Sequence, residues 1–272
     1  MKLLTTLAAG ALLLAAVPAF AAEAQRDAKD IGYSFEGPFG TFDKGQLQRG
    51  YKVYKEVCSA CHSMHLVSFR NLADHGGPGF TEAQVKALAA TFTVKDGPGE
   101  DGEMFDRPGL PSDRFPSPFP NEQAARNANG GALPPDLSLI TKSRAGWTGT
   151  FNQLINGIGG PNYVYSVLTG YEQVPAELAK DAPEGKHYNP YFANGPWIGM
   201  PPPLADGQVT FDDGAPNKID NMARDVSAFL AWTAEPKMEE RKATGFATII
   251  YLAVFAVLLY LVKQRIWAKV EH

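Results

Sequence analysis

The feature that most constrains the fold is a pair of cysteines followed directly by a histidine: Cys58, Cys61 and His62. They include the only 2 cysteines in 272 residues. Cys-x-x-Cys-His is the attachment signature of c-type haem, in which each thiol adds to a vinyl group and the imidazole binds the iron. Because the motif occurs once, the sequence predicts one covalently attached haem c and a domain folded around it.

Three other roles for a cysteine pair fit the sequence less well. A structural disulfide is common in exported proteins, but two intervening residues make a poor loop for one. A thioredoxin-like redox pair belongs to a βαβ pattern, which this sequence lacks. Zinc needs two further Cys or His ligands, and none follow at finger spacing.

The first 21 residues have the pattern of a secretory leader. Lys2 precedes an apolar run, which ends at Pro18 and the small-residue pattern Ala19-Phe20-Ala21. The run falls short of the about 20 residues that a membrane span needs, which disfavours a first anchor. It also lacks the Arg- and Ser-rich character of a mitochondrial presequence. We therefore expect residues 1–21 to be cleaved, and the chain to be bacterial and exported.

The C-terminal part of the chain contains an uncharged apolar stretch, residues 243–262. At about 1.5 Å per residue it spans about 30 Å, the thickness of one hydrocarbon core. Lys263, Arg265 and Lys269 follow it, which predicts a cytoplasmic tail over residues 263–272. Residues 22–241 would then form a periplasmic domain, anchored in the bacterial inner membrane by a single helix.

The balance of acidic and basic residues indicates which kind of macromolecule the exported domain can bind. The chain has 25 basic and 29 acidic residues; leaving out Lys2, Lys263, Arg265, Lys269 and Glu271 brings these to 21 and 28, a net charge near −7. An acidic domain disfavours nucleic acid. It favours a basic soluble partner, although acidic residues also serve solubility. The run Glu100, Asp101, Glu103 and Asp106 is the candidate docking site.

The 27 glycines and 21 prolines indicate long loops between few helices. Apolar spacing and capping signals predict a mostly α domain with helices over residues 46–57, 81–91, 151–158, 163–168 and 219–233. In the long loop over residues 96–123, we expect Met104, Phe105, Phe115 and Phe119 to serve as apolar anchors.

A second axial ligand for the iron must come from outside the motif. Methionine and histidine side chains can bind haem iron. The candidates for this second ligand are Met104, Met200 and Met222, and His75 and His187 are less favoured. Met200 is preferred because Pro201, Pro202 and Pro203 stiffen the loop that carries it. Methionine–histidine ligation fills both axial positions and suits electron transfer rather than oxygen binding.

The spacing of Gly50, Tyr54 and Cys58 resembles the N-terminal helix of class I cytochromes c, which crosses an aromatic pair on the last helix, here Phe229 and Trp232. The chain is more specifically similar to the cytochrome c1 family, the haem subunits of cytochrome bc1 complexes. The stretches that carry this resemblance are "FEGPFGTFDKGQLQRGYKVYKEVCSACHSMHLV", "DGPGEDGEMFDRPG", "NGGALPPDLSLITKSRAG", "YVYSVLTGY", "HYNPYFANGPWIGMPPPL", "FDDGAP" and "DVSAFLAWTAEPKMEERKATG".

This resemblance implies a class I cytochrome c-like fold with long loop insertions. It implies haem attachment at Cys58 and Cys61, and axial ligation by His62 and Met200. The Pro135 carbonyl would accept a hydrogen bond from the N–H of the ligating imidazole. The residues around the haem and its propionates would be Asn129, Arg144 and Tyr163.

Two features of the chain depart from the family pattern. The segment "WTGTFNQLINGIGG" lengthens the path between Arg144 and Tyr163 relative to mitochondrial members. A second cysteine pair, which braces the methionine side in some bacterial members, is not present in this sequence. The Met200 loop would therefore be held by proline and packing alone.

The resemblance also implies the function: one electron passes from a Rieske iron–sulfur protein to a soluble cytochrome c, within a complex that includes cytochrome b. Such transfer makes no bonds and needs no acid–base or nucleophile constellation. Two alternatives remain at this point: a stand-alone, membrane-tethered electron shuttle, and a haem sensor with an open axial site.

Overall fold

The computed structural model describes residues 25–147 and 149–269. The predicted leader, residues 1–21, lies outside this range, as do the last three residues of the predicted tail. The described chain is mostly helical, as predicted.

Eight α-helices and four short strands follow one another along the described residues. The helices are α1 (Lys44–Glu56), α2 (Glu82–Ala89), α3 (Glu122–Ala128), α4 (Ile140–Ser143), α5 (Thr150–Asn156), α6 (Gly160–Thr169), α7 (Ile219–Ala234) and α8 (Met238–Trp267). The strands form two antiparallel ladders: β1 (Thr93–Asp96) with β2 (Phe105–Pro108), and β3 (His187–Tyr188) with β4 (Trp197–Ile198).

The core of the domain is organised by the crossing of α1 over α7 at Gly50. A Cβ atom at Gly50 would lie 2.1 Å from the Asp225 carbonyl oxygen and 2.6 Å from the Phe229 Cβ. Two helices approach this closely only where one has no side chain. Beside the crossing, Arg49 Nε donates to the buried Asp225 carboxylate at 2.7 Å. Burial raises the pKa of Asp225, although Arg49 opposes that effect.

Aromatic rings fill the space around this crossing. Phe229 lies within 5.8 Å of the Tyr51 ring and 6.0 Å of the Tyr54 ring, measured between centroids. Trp232, one turn further on, lies 5.6 Å from Phe229 and is fully buried. The predicted contact between the Gly50–Tyr54 face and the aromatic pair of the last domain helix is therefore confirmed.

The last helix, α8, is long and apolar enough to cross a membrane, and the side chains of its apolar stretch are exposed. Three residues separate it from α7. Its first turn belongs to the domain, because Met238 is buried and Glu239 accepts a hydrogen bond from the Phe42 N–H. Lys242 Nζ donates to the carbonyls of Phe35 and Gly40.

The prediction of four apolar anchors in the long loop is wrong for two of them, Met104 and Phe105. Phe115 is buried against Tyr51 and Phe69, as expected. Met104 and Phe105, by contrast, are 56% and 49% exposed at the far end of the β1–β2 hairpin. This end of the hairpin lies outside the hydrophobic core of the described residues, so its apolar side chains stay about half exposed.

Gly50→Ala should lower the free energy of unfolding by about 2–3 kcal/mol, because the new methyl group meets backbone that cannot yield. Gly45→Ala, on the same helix, is the matched control: its Cβ would meet only the side chains of Asp43 and Arg49, at 3.3 and 3.4 Å. It should leave stability unchanged or raise it by up to about 1 kcal/mol. Denaturant unfolding of both variants in mild detergent measures this, and equal stabilities would contradict the crossing.

Candidate haem site

The cysteine motif is wound into a tight turn at the C-terminal end of α1. Cys58 begins a 3₁₀ turn, and the N–H groups of Cys61 and His62 both donate to the Cys58 carbonyl, at 3.1 and 2.9 Å. Neither thiol is in a disulfide; Cys58 is half-buried and Cys61 is exposed. The turn places both sulfurs and the imidazole within five residues at the end of a rigid helix.

The thiol chemistry argues against a redox or zinc role for the pair. Burial raises the pKa of Cys58 to about 12, and the neighbouring Cys61 adds to the effect. A thioredoxin-like pair needs a thiolate near neutral pH, which this environment opposes. Within the described part of the chain, no group of three or more Cys, His, Asp or Glu side chains is placed to bind a metal.

The His62 ring is oriented by a backbone carbonyl. Its Nδ1 lies 2.8 Å from the Pro135 oxygen. A carbonyl can only accept, so Nδ1 carries the proton and the lone pair of the neutral ring is on Nε2. Burial lowers the pKa of His62, while the Pro135 carbonyl and Asp136 partly oppose this. The neutral form of the imidazole is therefore favoured, and Nε2 is the nitrogen that can bind a metal.

Asp136 holds Pro135 in place, a role that the sequence did not predict. Its carboxylate accepts hydrogen bonds from Ser63 Oγ, the His65 N–H, the His65 ring and the Ser138 N–H, at 2.6 to 2.9 Å. Burial alone would raise the pKa of Asp136, but these hydrogen bonds outweigh it and lower the pKa. The only sequence signal was an acidic residue directly after the proline pair.

The Met200 loop begins where β4 ends, and Met200 itself is half-buried. The Tyr171 hydroxyl donates to the Met200 carbonyl at 3.0 Å, a second contact that the sequence did not predict. A Cβ atom at Gly199 would lie 2.9 Å from the Ala132 Cβ. The loop therefore packs against the segment between Asn129 and Pro135, which also contacts His62.

The other candidates for a second ligand lie in different surroundings. Met222 is fully buried in the core of α7, and Met104 is exposed on the β1–β2 hairpin. His75 is exposed. His187 is half-buried and pairs with Ile198 in the β3–β4 ladder, close in sequence to the Met200 loop.

Of the three remaining predicted residues, Asn129 caps the C-terminal end of α3, Arg144 caps that of α4, and Tyr163 lies on α6. Asn129 ends α3 and its side chain donates to the Ala125 carbonyl at 2.7 Å. The Tyr163 hydroxyl accepts a hydrogen bond from the Ala193 N–H at 3.2 Å. Arg144 ends α4, is half-buried, and forms no ion pair with any of the described residues.

The segment that departs from the family pattern forms an outward loop that contains α5. The N–H groups of Gly146 and Trp147 both donate to the Ile158 carbonyl, at 2.8 and 3.2 Å, which brings the two ends of the loop together. The extra residues therefore do not separate α4 from α6, which remain in contact.

The four acidic residues of the candidate docking site are exposed between and within β1 and β2. Asp106 pairs with Lys95 at 3.2 Å, and Asp101 accepts a hydrogen bond from the Glu103 N–H. The carboxylates of Glu100 and Glu103 form no ion pair with the described residues. Asp101 accepts only from a neutral N–H group, so Glu100, Asp101 and Glu103 carry the uncompensated charge of this end of the hairpin.

The chain is similar to known proteins over most of its length. Residues 33–270 match the Cytochrome C1 family. A "Cytochrome c1" of Cereibacter sphaeroides is 47% identical over 98% of this chain and 96% of its own length. A "Cytochrome c1-2, heme protein, mitochondrial" of Solanum tuberosum is 50% identical over 80% of this chain and 76% of its own length.

A longer relative is also similar. The "Cytochrome b/c1" of Bradyrhizobium diazoefficiens is 52% identical over 96% of this chain, which spans 39% of that relative's length. The family match covers well over half of the chain, and two of these relatives align over most of their own length as well. The chain therefore belongs to the cytochrome c1 family.

Proposed function

We propose that this chain is the haem-carrying, membrane-anchored electron-transfer subunit of a quinol–cytochrome c reductase (bc1) complex. The observation that carries the proposal is the contact between His62 Nδ1 and the Pro135 oxygen, with Cys58 and Cys61 in the same turn. It leaves Nε2 as a ligand beside two unbonded sulfurs.

The residues present fit one covalently attached haem c. Thioethers at Cys58 and Cys61 would hold it. Burial disfavours a thiolate at Cys58, whereas a thioether carries no charge and suits the buried position. His62 and Met200 would be the axial ligands. When bound, the haem supplies an iron that gains and loses one electron.

The protein's own groups orient and shield this centre. Asp136 and Pro135 hold the His62 ring, and Tyr171 holds the backbone of Met200. Asn129, Arg144 and Tyr163 would surround the haem and its propionates. A half-buried guanidinium without an ion pair among the described residues suits a propionate carboxylate at Arg144.

The electron would come from a Rieske iron–sulfur protein and pass to a basic soluble cytochrome c at the acidic hairpin. Cytochrome b would be the membrane partner. The name of the Bradyrhizobium relative joins b and c1, which supports this association. No bond-making catalysis is assigned to this subunit, because each transfer leaves the covalent structure unchanged.

The membrane arrangement is part of the same proposal. Residues 1–21 would be a cleaved leader and residues 22–241 a periplasmic domain. Residues 243–262 would cross the bacterial inner membrane, and lipid would surround them. The basic residues after this span favour a cytoplasmic tail over residues 263–272.

The alternative, a stand-alone tethered shuttle, is disfavoured by the connection between the domain and α8. A shuttle needs a flexible linker, whereas only Glu235, Pro236 and Lys237 separate α7 from α8. The first turn of α8 is itself bonded to the domain through Glu239 and Lys242. A domain attached in this way suits a fixed position in a complex.

Met200→Leu tests the axial assignment. Leucine has a similar volume but cannot bind iron, so the haem stays attached while the sixth position opens or takes a weaker ligand. The methionine–iron charge-transfer band should disappear, and the midpoint potential should fall by on the order of a hundred millivolts. Absorption spectra and redox titration of the purified complex measure both.

Met104→Leu is the matched control, because this exposed methionine should leave the spectrum and potential native. A native spectrum in Met200→Leu would overturn the assignment. If His187→Ala then removed the low-spin spectrum, His187 would be the ligand instead.

Asp136→Asn tests the support of the His62 ring. The pKa of Asp136 is lower in the folded state, so the ionised carboxylate stabilises the fold above about pH 4, and this stability is lost as the pH falls. The variant should lose about 1–2 kcal/mol of unfolding free energy near pH 6 and a smaller amount near pH 3, where the wild-type carboxylate begins to be protonated. Unfolding curves at both pH values decide, with exposed Asp181→Asn as the unaffected control.

The paired change Glu100→Gln and Glu103→Gln tests the docking surface. It should slow association with a basic cytochrome c by roughly two- to tenfold at low salt, and the difference should vanish as screening increases. Glu82→Gln with Glu177→Gln removes the same charge elsewhere on the exposed surface and should have a smaller effect. Association rates and their salt dependence are measured by stopped flow. Equal values for the two double variants would show that the hairpin carboxylates do not contribute to docking.

A further inference from the structure

The outward loop contains α5, and the apolar residues of this helix are largely exposed. Phe151, Leu154 and Ile155 are 84%, 52% and 57% exposed. Their spacing of three and four residues places them on one side of α5, and no residue of α5 is buried. The loop has no charged residue over residues 147–159. Apart from the part of Leu154 that borders a cavity against the domain, this apolar face lies outside the domain core.

A second exposed apolar residue marks the level of the membrane. Phe39 is 72% exposed, and its ring lies 5.4 Å from that of Phe246 on α8. Phe246 is the fourth residue of the uncharged stretch, about 4.5 Å beyond its start at about 1.5 Å per residue. The Lys242 bonds to the Phe35 and Gly40 carbonyls fix the Phe39 loop against α8. Phe39 thus lies where the apolar part of α8 begins.

The Phe39 loop and the outward loop are neighbours. A Cβ atom at Gly37 would lie 3.4 Å from the Ile155 carbonyl oxygen, and one at Gly157 would lie 3.4 Å from Glu36 Cγ. A cavity of about 170 Å³, bordered by Leu154 and Met238, separates the outward loop from the helices behind it. The exposed apolar residues of both loops therefore lie on the side of the domain from which α8 emerges.

We propose that α5 and Phe39 form a second membrane contact, in which Phe39, Phe151, Leu154 and Ile155 enter the boundary between lipid headgroups and acyl chains. The inference rests on the proposed membrane crossing of α8. Short amphipathic helices bind this layer by their apolar face, and an uncharged loop enters it without desolvating an ion. The contact would fix the tilt of the haem domain relative to the bilayer.

Hydrophobic photolabelling tests the contact directly. The full chain, alone and in its complex, is placed in nanodiscs containing a lipid with a diazirine on its acyl chain, and labelled peptides are mapped by mass spectrometry. The peptide with residues 149–157 should be labelled together with the span of α8. The peptide with Met104 and Phe105 is the matched control, because its exposed apolar residues lie on the acidic hairpin and should escape the label.

A variant with Phe151→Asn and Ile155→Asn tests the face itself. Labelling of the loop should fall by about tenfold or more, since each apolar side chain removed from lipid is worth at least that factor in partitioning. Labelling of the α8 span should be unchanged. Because α5 has no buried residue, the fold is retained, and the haem spectrum checks this independently.

Three results would overturn the inference. Loop labelling no higher than that of the Met104 peptide, with a labelled span, places the apolar face in water. Labelling in the isolated chain but not in the complex shows that another subunit covers the face. An unlabelled span would refute the membrane crossing of α8, and the second contact with it.

Discussion

The close approach of α1 and α7 at Gly50 is the contact on which the other features of the domain depend. It fixes the direction of α1, and hence the position of the turn containing Cys58, Cys61 and His62. It also brings Phe229 against Tyr51 and Tyr54, around which the aromatic core is built. The adjacent Arg49–Asp225 ion pair adds a polar contact between α1 and α7 to the steric fit at Gly50.

The elements that the sequence predicted well are those determined by local patterns. The apolar face of α7, with Met222, Val226 and Phe229, is buried as its spacing required. The Thr81–Gln84 capping box begins α2, as expected. The uncharged stretch after Lys242 lies within the one long apolar helix among the described residues. In each case the signal lies within a few residues of the feature, so no knowledge of the tertiary fold was needed.

The contacts that the sequence did not predict depend on segments far apart in the chain. Asp136 reaches Ser63 and His65 across some seventy residues, and Tyr171 reaches Met200 across 29. Neither contact has a periodic signal. The prediction that Met104 and Phe105 anchor the long loop was wrong for the same reason. Their apolar side chains suggested burial, but the direction of the β1–β2 hairpin decides whether a core lies beneath them.

The long sequence separation at the helix crossing has a consequence for the order of folding. Arg49 and Asp225 are 176 residues apart, so α1 meets its partner only after nearly the whole domain has been synthesised. Closing so long a loop is slow, and the aromatic core cannot form before α7 arrives. Until then the cysteine turn has no α7 packed behind it, and its thiols remain accessible for chemical modification. If the proposed haem is attached at Cys58 and Cys61, late closure would provide an interval in which it is joined to a chain that later encloses it.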